Sequence, residues 1–196
     1  NRQKNSRRAL MDKYNIPEVK TFEYTKIIGI DNIDFGKYVI IDDYVLIYAK
    51  EKIRIGSYVH IASFSSVSGG GEFVMEDFSG LSSGCRIITG SDDFKGGGFG
   101  NPAIAEEFRN VRIGKIHIGK FAIVGTNSVI MPNVTIGEGA SVWAGSVVTK
   151  NLEPWGIYSG NRRIGWRNKE KVLKNFARFK TLPESEQLGS LFRCEE

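Results

Sequence analysis

An aliphatic residue recurs at every sixth position in the second half of the chain. Four positions after each of the first five stands a small or branched residue, such as Ala122 or Ser128. A period of six fits neither an amphipathic helix nor a long alternating strand. It is typical of short strands joined by regular corners, and it therefore predicts a repetitive, coiled β-structure. The periodic positions are Ile118, Val124, Ile130, Ile136, Val142 and Val148.

The same rhythm extends upstream in sets of three aliphatic or aromatic positions. Phe35, Ile55 and Met75 begin successive sets, so each turn of the structure takes 20 residues. We expect about five coils that stack on one another, because no single coil can bury its apolar side alone. Residues 93–117 interrupt the rhythm as a long insertion. The small inward positions of these coils include Val45, Ser65, Ser79 and Cys85.

The two ends of the chain depart from the repeat. We divide the chain into an N-terminal segment (1–26), a repetitive domain (27–153) and a C-terminal segment (154–196). A short helix is predicted around Arg8–Tyr14. A second, amphipathic helix is predicted over 168–180, because Val172, Phe176 and Phe179 fall at helical spacing.

Glycine is the unusual feature of the composition. The 196 residues include 23 Gly but only five Pro, which excludes collagen and a Pro/Gly-rich linker. We expect Gly119, Gly125, Gly137 and Gly145 to form the corners of the coils, where glycine tolerates positive φ. Two triplets, at 69–71 and 96–98, lie outside the rhythm, and the second predicts mobility in the insertion.

Charge and cysteine content exclude several classes of function. Lys and Arg number 27 and Asp and Glu 22, and they are dispersed, so no nucleic-acid surface is expected. No apolar run is long enough to span a bilayer, which predicts no stable membrane insertion. Cys85 is expected in the core and Cys194 in a tail. Without a disulfide framework or a metal-ligand pattern, we predict a cytoplasmic protein with no metal.

The consecutive runs IGKFAI, VGTNSV, IMPNVT, IGEGAS and VWAGSV resemble the hexapeptide-repeat acyltransferase family. The resemblance covers roughly 27–165. It implies an all-β fold: a left-handed parallel β-helix of about five coils, with a long inserted loop and a C-terminal α-helix. It also implies a homotrimer with active sites between subunits.

The resemblance further implies acetyl-coenzyme A as co-substrate, bound along the C-terminal coils. The family's small-residue turns let the pantetheine arm approach the backbone, and basic side chains meet the coenzyme phosphates. Either Arg163 or Arg167 is the basic contact, since the family's usual proline is replaced by Arg162. The residues that match the family pattern are Thr126, Ala144, Thr149, Lys150, Arg163 and Arg167.

The acyl acceptor needs a base if it is a hydroxyl, and histidine suits that role near neutral pH. Sugar-acetylating members of the family carry a histidine at the start of the long loop. Here Asp92 and Asp93 stand in its place. His60 and His117 are the two histidines of the chain, and a structural or surface role is the alternative for each.

We take His60 as the better catalytic candidate, with Asp92 or Asp93 as its partner or as an acceptor contact. His60 and Asp92 end different sides of neighbouring coils, and a six-residue side spans up to about 20 Å. Only a neighbouring subunit would therefore bring the two side chains together.

The insertion is interpreted as a wall of the acceptor pocket, because long loops in compact repeats are more often functional than idle. Its candidate substrate contacts are Phe94, Asn101 and Glu106. The alternative is a cover for the sheet faces.

The favoured function is acetyl-coenzyme A-dependent O-acetylation of a sugar or nucleotide-sugar in bacterial surface-polysaccharide synthesis. This follows from the resemblance of the loop and of the Leu152–Asn161 segment to sugar O-acetyltransferases. A second possibility is N-acetylation of a nucleotide-linked amino sugar, for which the missing loop histidine matters less. A third is a non-catalytic binding or scaffold protein, which would have no need of a coenzyme site.

Overall fold

The computed structural model describes residues 13–193. Most of the helix predicted at Arg8–Tyr14 lies outside the described residues, as does Cys194. Within them, short parallel strands wind into a β-helix with three faces, A, B and C, which the chain visits in that order on every coil. This confirms the predicted fold class.

Each face is one sheet of stacked strands. Face A holds β1 (Val19–Thr21), β4 (Val39–Ile41), β7 (His60–Ile61), β10 (Gly80–Leu81), β15 (Ile123–Val124), β18 (Ser141–Val142), β20 (Gly156–Ser159) and the antiparallel β21 (Arg162–Trp166). Face B holds β2 (Lys26–Ile28), β5 (Leu46–Tyr48), β8 (Ser66–Ser68), β11 (Arg86–Ile88), β16 (Val129–Ile130) and β19 (Val147–Val148). Face C holds β3 (Ile33–Phe35), β6 (Ile53–Ile55), β9 (Phe73–Met75), β14 (Ile116–Ile118) and β17 (Thr135–Ile136).

The core is the column of side chains enclosed by the three faces. The hexad positions stack in register from coil to coil, as Ile41, Ile61, Leu81 and Val124 do on face A. Small residues fill the inward side of the corners, where Ser65, Cys85 and Ser128 are almost completely buried. Burial raises the pKa of the Cys85 thiol. The in-register stacking and the burial of these positions confirm the predicted hexad pattern.

The number of coils differs from the prediction. About seven coils are present among the described residues instead of five. At the N-terminal end β1 and β2 already belong to the helix, with the buried Thr21 at a hexad position that a search for aliphatic residues misses. At the C-terminal end Leu152 and Tyr158 continue the core beyond the last regular hexad.

The corners correct our expectation for the glycines. Most positive φ values at corners belong to other residues, such as Tyr58, Phe78 and Asn127. Gly119 has no positive φ, but a β-carbon added there would lie 2.7 Å from the backbone nitrogen of Glu138 on the next coil. Glycine is therefore needed at this position because successive coils approach closely. Gly145 does have the expected positive φ of 69°.

Two ladders of aromatic side chains follow the corners. The corner between faces C and A carries the ladder Tyr38, Tyr58, Phe78 and Phe121. The C-terminal helix α1 (Lys169–Lys180) covers the last three of these rings. Phe176 and Phe179 of α1 pack edge-on against Phe78, which confirms the predicted apolar stripe. A short helix, α2 (Glu184–Gln187), follows. At the corner between faces A and B, the stacked rings of Tyr24, Tyr44 and Phe64 remain exposed.

No helix between residues 13 and 193 has the length and apolar character required to cross a lipid bilayer.

Candidate active site

The insertion leaves the β-helix after β11 and returns at β14, so its limits are 89–115 and not the predicted 93–117. Its base is an antiparallel pair, β12 (Gly90–Ser91) with β13 (Arg112–Ile113). A 3₁₀ helix, Glu106–Phe108, lies between them. His117 therefore lies within face C, not in the loop.

The glycine triplet 96–98 brings the two arms of the insertion together. A β-carbon added at Gly98 would lie 2.6 Å from the backbone nitrogen of Asn110 and 3.0 Å from Cα of Arg109. Such distances leave no space for a side chain. The triplet, from which we predicted mobility, here allows the close approach of two strands of chain.

A cleft of about 580 Å³ lies between the insertion and the corner that joins faces B and C. Two of the predicted site residues, Asp92 and Glu106, line it, whereas Phe94 and Asn101 do not. Phe94 projects into solvent, and Asn101 accepts a hydrogen bond from the backbone N–H of Ala103 in a turn. The complete lining is Tyr48, Lys50, Glu51, Gly69, Gly70, Gly90, Ser91, Asp92, Pro102, Glu106, Arg109, Val111 and Ile113.

The two adjacent aspartates occupy different environments. Asp92 is 37% exposed at the cleft, and its Oδ1 accepts an ion-paired hydrogen bond from Arg109 Nη2 at 3.0 Å. The Asp93 side chain is 3% exposed. Its carboxylate accepts hydrogen bonds from the N–H groups of Lys95 and Gly97 and from the Asn110 amide. Asp92 thus faces the cleft, whereas Asp93 closes the loop.

The hydrogen bonds to Asp93, led by that from the Lys95 N–H, hold its pKa below the ordinary value for Asp. We expect Asp93→Asn to loosen the insertion and to speed its proteolysis several-fold. The reason is that an amide NH2 would face donors that now bond to an oxygen. Because the pKa of Asp93 is lowered in the folded protein, its carboxylate stabilises the insertion at pH values above the ordinary Asp pKa of about 3.9. This stabilisation is lost as the pH falls below that value and through the lowered pKa, so the wild-type insertion should loosen there.

Limited proteolysis with mapping of the cut sites measures this loosening. Glu107→Gln is the matched control, since it removes one negative charge from the same insertion at an exposed position. Equal proteolysis of the two variants would show that Asp93 does not hold the loop.

Neither histidine lies in the cleft. His60 is half-exposed on face A, and its Nε2 is 3.0 Å from Asp42 Oδ2. Within the chain its carboxylate partner is thus Asp42 and not Asp92. His117 Nε2 is 2.7 Å from Glu76 Oε1, and the other oxygen of Glu76 accepts the N–H of Lys120. This bonding ties His117 to the outer surface of face C.

Four of the predicted coenzyme residues, Thr126, Ala144, Thr149 and Lys150, are exposed on the last coils. Thr126 and Ala144 occupy the corner between faces A and B, where the N–H of Gly145 donates to the Thr126 carbonyl oxygen at 2.8 Å. Thr149 and Lys150 follow strand β19 at the next corner. The Asn161 side chain, which the sequence analysis missed, bonds to both the N–H and the hydroxyl of Thr149.

The two basic candidates at the C-terminal end have partners within the chain. Arg163 pairs with Glu153 and stacks on the Trp166 ring, 4.1 Å from its centroid. Arg167 donates from Nη1 to the carbonyl oxygens of Phe121 and Gly139 at 2.6 and 3.2 Å. Burial lowers the Arg167 pKa. A phosphate contact by either residue stays a prediction.

Arg109, Tyr48 and Lys50 are cleft residues that sequence reasoning missed. Tyr48 and Lys50 belong to an ordinary coil, and Arg109 lies 17 residues beyond Asp92 without any motif around it. Only the packing of the insertion against the coil brings them together, so no pattern along the chain signalled them. Within residues 13–193, no group of three or more His, Cys, Asp or Glu side chains is arranged to hold a metal ion.

Comparison with known proteins identifies the family. Residues 115–150 match the bacterial transferase hexapeptide (six repeats) model. The chain is 35% identical over 143 residues to dTDP-4-amino-4,6-dideoxy-D-glucose acyltransferase of Escherichia coli, covering 72% of this chain and 74% of that protein.

Solved structures agree with this similarity. AntD, an N-acyltransferase from Bacillus cereus, in complex with dTDP and 3-hydroxybutyryl-CoA, has a TM-score of 0.78 and 33% identity over 91% of this chain and 95% of its own. A variant of AntD in complex with dTDP-4-amino-4,6-dideoxyglucose and coenzyme A has a TM-score of 0.79 and 32% identity over 92% and 96%. A maltose O-acetyltransferase from Clostridium difficile 630 shares the fold, with a TM-score of 0.57 and 21% identity over 69% and 71%. The chain therefore belongs to the hexapeptide-repeat acyltransferase family and is an acyltransferase.

Proposed function

We propose that the protein transfers an acyl group from a coenzyme A thioester to the amino group of a nucleotide-linked amino sugar. The observation that carries the proposal is similarity over most of the chain to acyltransferases named for, or bound to, dTDP-4-amino-4,6-dideoxyglucose. This similarity favours N-acylation of a nucleotide-linked amino sugar over O-acetylation. The absence of a loop histidine supports the same choice, because an unprotonated amine is a better nucleophile than a hydroxyl.

The cleft has charges that suit such an acceptor. Asp92 and Glu106 place carboxylates where a protonated amine would be attracted. Lys50 lines the same cleft, and its ammonium has no hydrogen bond or ion pair among the described residues. We assign Lys50 to the diphosphate of the nucleotide, which needs a cationic partner.

The last coils suit a coenzyme A thioester. A β-carbon added at Gly145 would meet no atom within 4 Å, so the backbone next to Thr126 and Ala144 is open to a pantetheine arm. Lys150 is exposed and has no ion-pair partner within residues 13–193, which leaves it available to a phosphate. Thr149, held by Asn161, lies beside it.

When bound, the coenzyme supplies the acyl group as an electrophilic thioester carbonyl. The acceptor nitrogen loses a proton as its bond to the acyl carbon forms and the carbon–sulfur bond breaks. In this proposal Asp92 accepts that proton, as a general base within reach of the acceptor would. The proton returns to the departing sulfur or to solvent, and the products are an amide and a free thiol.

We further propose a cytoplasmic homotrimer that serves bacterial surface-polysaccharide synthesis. The resemblance to the family supports the trimer, in which each chain would have a neighbouring subunit. A catalytic role for His60 needs such a subunit, because His60 lies outside the cleft of its own chain.

Side-by-side assays test the proposed reaction. Purified protein is supplied with acetyl- or 3-hydroxybutyryl-coenzyme A and either dTDP-4-amino-4,6-dideoxyglucose or dTDP-6-deoxyglucose, which carries a 4-hydroxyl. We expect free thiol and an amide product, identified by mass, with the amine alone. Turnover of the hydroxyl sugar would favour O-acylation. Failure of calorimetry to detect binding of coenzyme A would contradict the assigned co-substrate.

A further inference from the structure

Arg109 has an unusual environment for an arginine on an inserted loop. It directly follows the 3₁₀ helix Glu106–Phe108, and its N–H donates to the Glu106 carbonyl oxygen at 2.9 Å. Its side chain is only 18% exposed, and Nη2 donates to Asp92 at 3.0 Å. Its Nε–H is buried and has no hydrogen-bond partner among the described residues.

A buried N–H without an acceptor costs free energy, and a buried charge costs more unless it is well paired. Native proteins contain few such groups, and those that persist call for an explanation beyond stability. The backbone of Gly98 packs closely against that of Arg109, since a β-carbon added at Gly98 would lie 3.0 Å from Cα of Arg109. The surroundings therefore keep the guanidinium beside Asp92 without satisfying all of its donors.

Asp92 is left with one oxygen free. Arg109 bonds to Oδ1, and no hydrogen bond to Oδ2 occurs within residues 13–193. A carboxylate with one oxygen anchored by a rigid, planar guanidinium has a restricted orientation. Its other oxygen can then meet a proton on the acceptor from a constant direction, as when a third group orients a catalytic base.

We infer that Arg109 is a positioning residue that aims Asp92 at the acceptor amine. This inference rests on the proposed function for the identity of the acceptor and for Asp92 as the base. Arg109 itself touches neither the amine nor the acyl group. Its effect on turnover passes through Asp92.

Variants of Arg109 separate positioning from a structural role. We expect Arg109→Ala to lower kcat by about 10²-fold, the usual order for misplacement of a catalytic group by about 1 Å. KM for the coenzyme A thioester should stay unchanged. Arg109→Lys should recover only part of the loss, because an ammonium lacks the planar geometry. Arg112→Ala is the matched control: it removes an exposed arginine of the same arm that lies 3.8 Å from Asp93, and its kcat should equal that of the wild type.

A double-mutant cycle supplies the decisive readout. If Arg109 acts through Asp92, adding Arg109→Ala to Asp92→Asn should lower kcat no further. An equal additional loss in that background would overturn the inference, as would a wild-type kcat in Arg109→Ala. Melting temperatures of all variants show whether a loss of kcat results from unfolding.

A crystal structure of Arg109→Ala keeps the inference testable whatever the acceptor proves to be. We expect the Asp92 carboxylate to lose its single orientation, and an unchanged Asp92 would overturn the inference. Acylation of hydroxyl acceptors by the wild type would instead contradict the proposed function and leave the positioning result to stand on its own.

Discussion

Replacement of Asp92 by Asn is expected to lower kcat for the amino-sugar acceptor by about 10²–10⁴-fold, the usual contribution of a general base. The side chain keeps its size and can still accept a hydrogen bond from Arg109, so the cleft should keep its shape. An amide, however, cannot take the proton that the acceptor nitrogen must lose. Affinity for the coenzyme A thioester should stay as in the wild type, because the proposed coenzyme residues lie on other coils.

Steady-state kinetics and calorimetry measure these two quantities. Asp34→Asn is the control, since Asp34 is an exposed carboxylate on face C that pairs with Lys52 away from the cleft. A kcat within a factor of two or so of the wild type for Asp92→Asn would remove Asp92 as the base.

His60→Ala tests the prediction that His60 is the general base of a site completed by a neighbouring subunit. A large loss of kcat in this variant would support a site completed by a neighbour. Unchanged turnover would exclude His60 from the reaction and leave its contact with Asp42 as a surface interaction.

Phe78→Ala is expected to destabilise the protein by about 3 kcal/mol. Its ring lies between Tyr58 and Phe121 in the ladder, with centroid distances of 4.7 and 5.6 Å. Phe176 and Phe179 of helix α1 close over it at 5.1 and 5.5 Å. Truncation would therefore leave a cavity beneath the helix and remove several aromatic pairs at once.

Phe64→Ala provides a closely matched control. Phe64 occupies the equivalent place at another corner, with φ of 65° against 58° for Phe78. Its ring is exposed and stacks on Tyr44 alone within the described residues. We expect a loss below about 1 kcal/mol, the range of a single exposed aromatic pair.

Urea denaturation compares the two variants, provided that the slope of the transition stays constant. Because both positions have positive φ, any effect of the backbone conformation cancels in the comparison. Equal losses would show that the covering by α1 does not stabilise the ladder.

The sequence predicted the core well because the hexad repeat encodes it directly. Every sixth side chain points inward, so Ile61 and Val124 could be placed in the core without knowing their neighbours. The corners were predicted less well. Glycine at a corner was interpreted as a need for positive φ. Gly119 is needed instead because the next coil approaches closely, and positive φ values at corners occur at residues such as Phe78. A requirement set by the neighbouring coil is not visible in the local sequence.

The candidate site shows the same division. The loop position of Asp92 and Asp93, together with the absent histidine, directed attention to these residues from the sequence. Their different environments depend on Lys95, Gly97, Asn110 and Arg109, which meet them only after the loop has folded back.

The amino-acid sequence was therefore sufficient for the repeat, the class of fold, the position of the insertion and the C-terminal helix. Each of these is a periodic or local property, and periodicity can be seen along the chain. The three-dimensional packing was needed to separate the cleft-facing Asp92 from the loop-closing Asp93 and to bring Lys50 and Arg109 to one cleft. Such contacts join residues far apart in sequence, and their geometry depends on how the insertion packs against the coils.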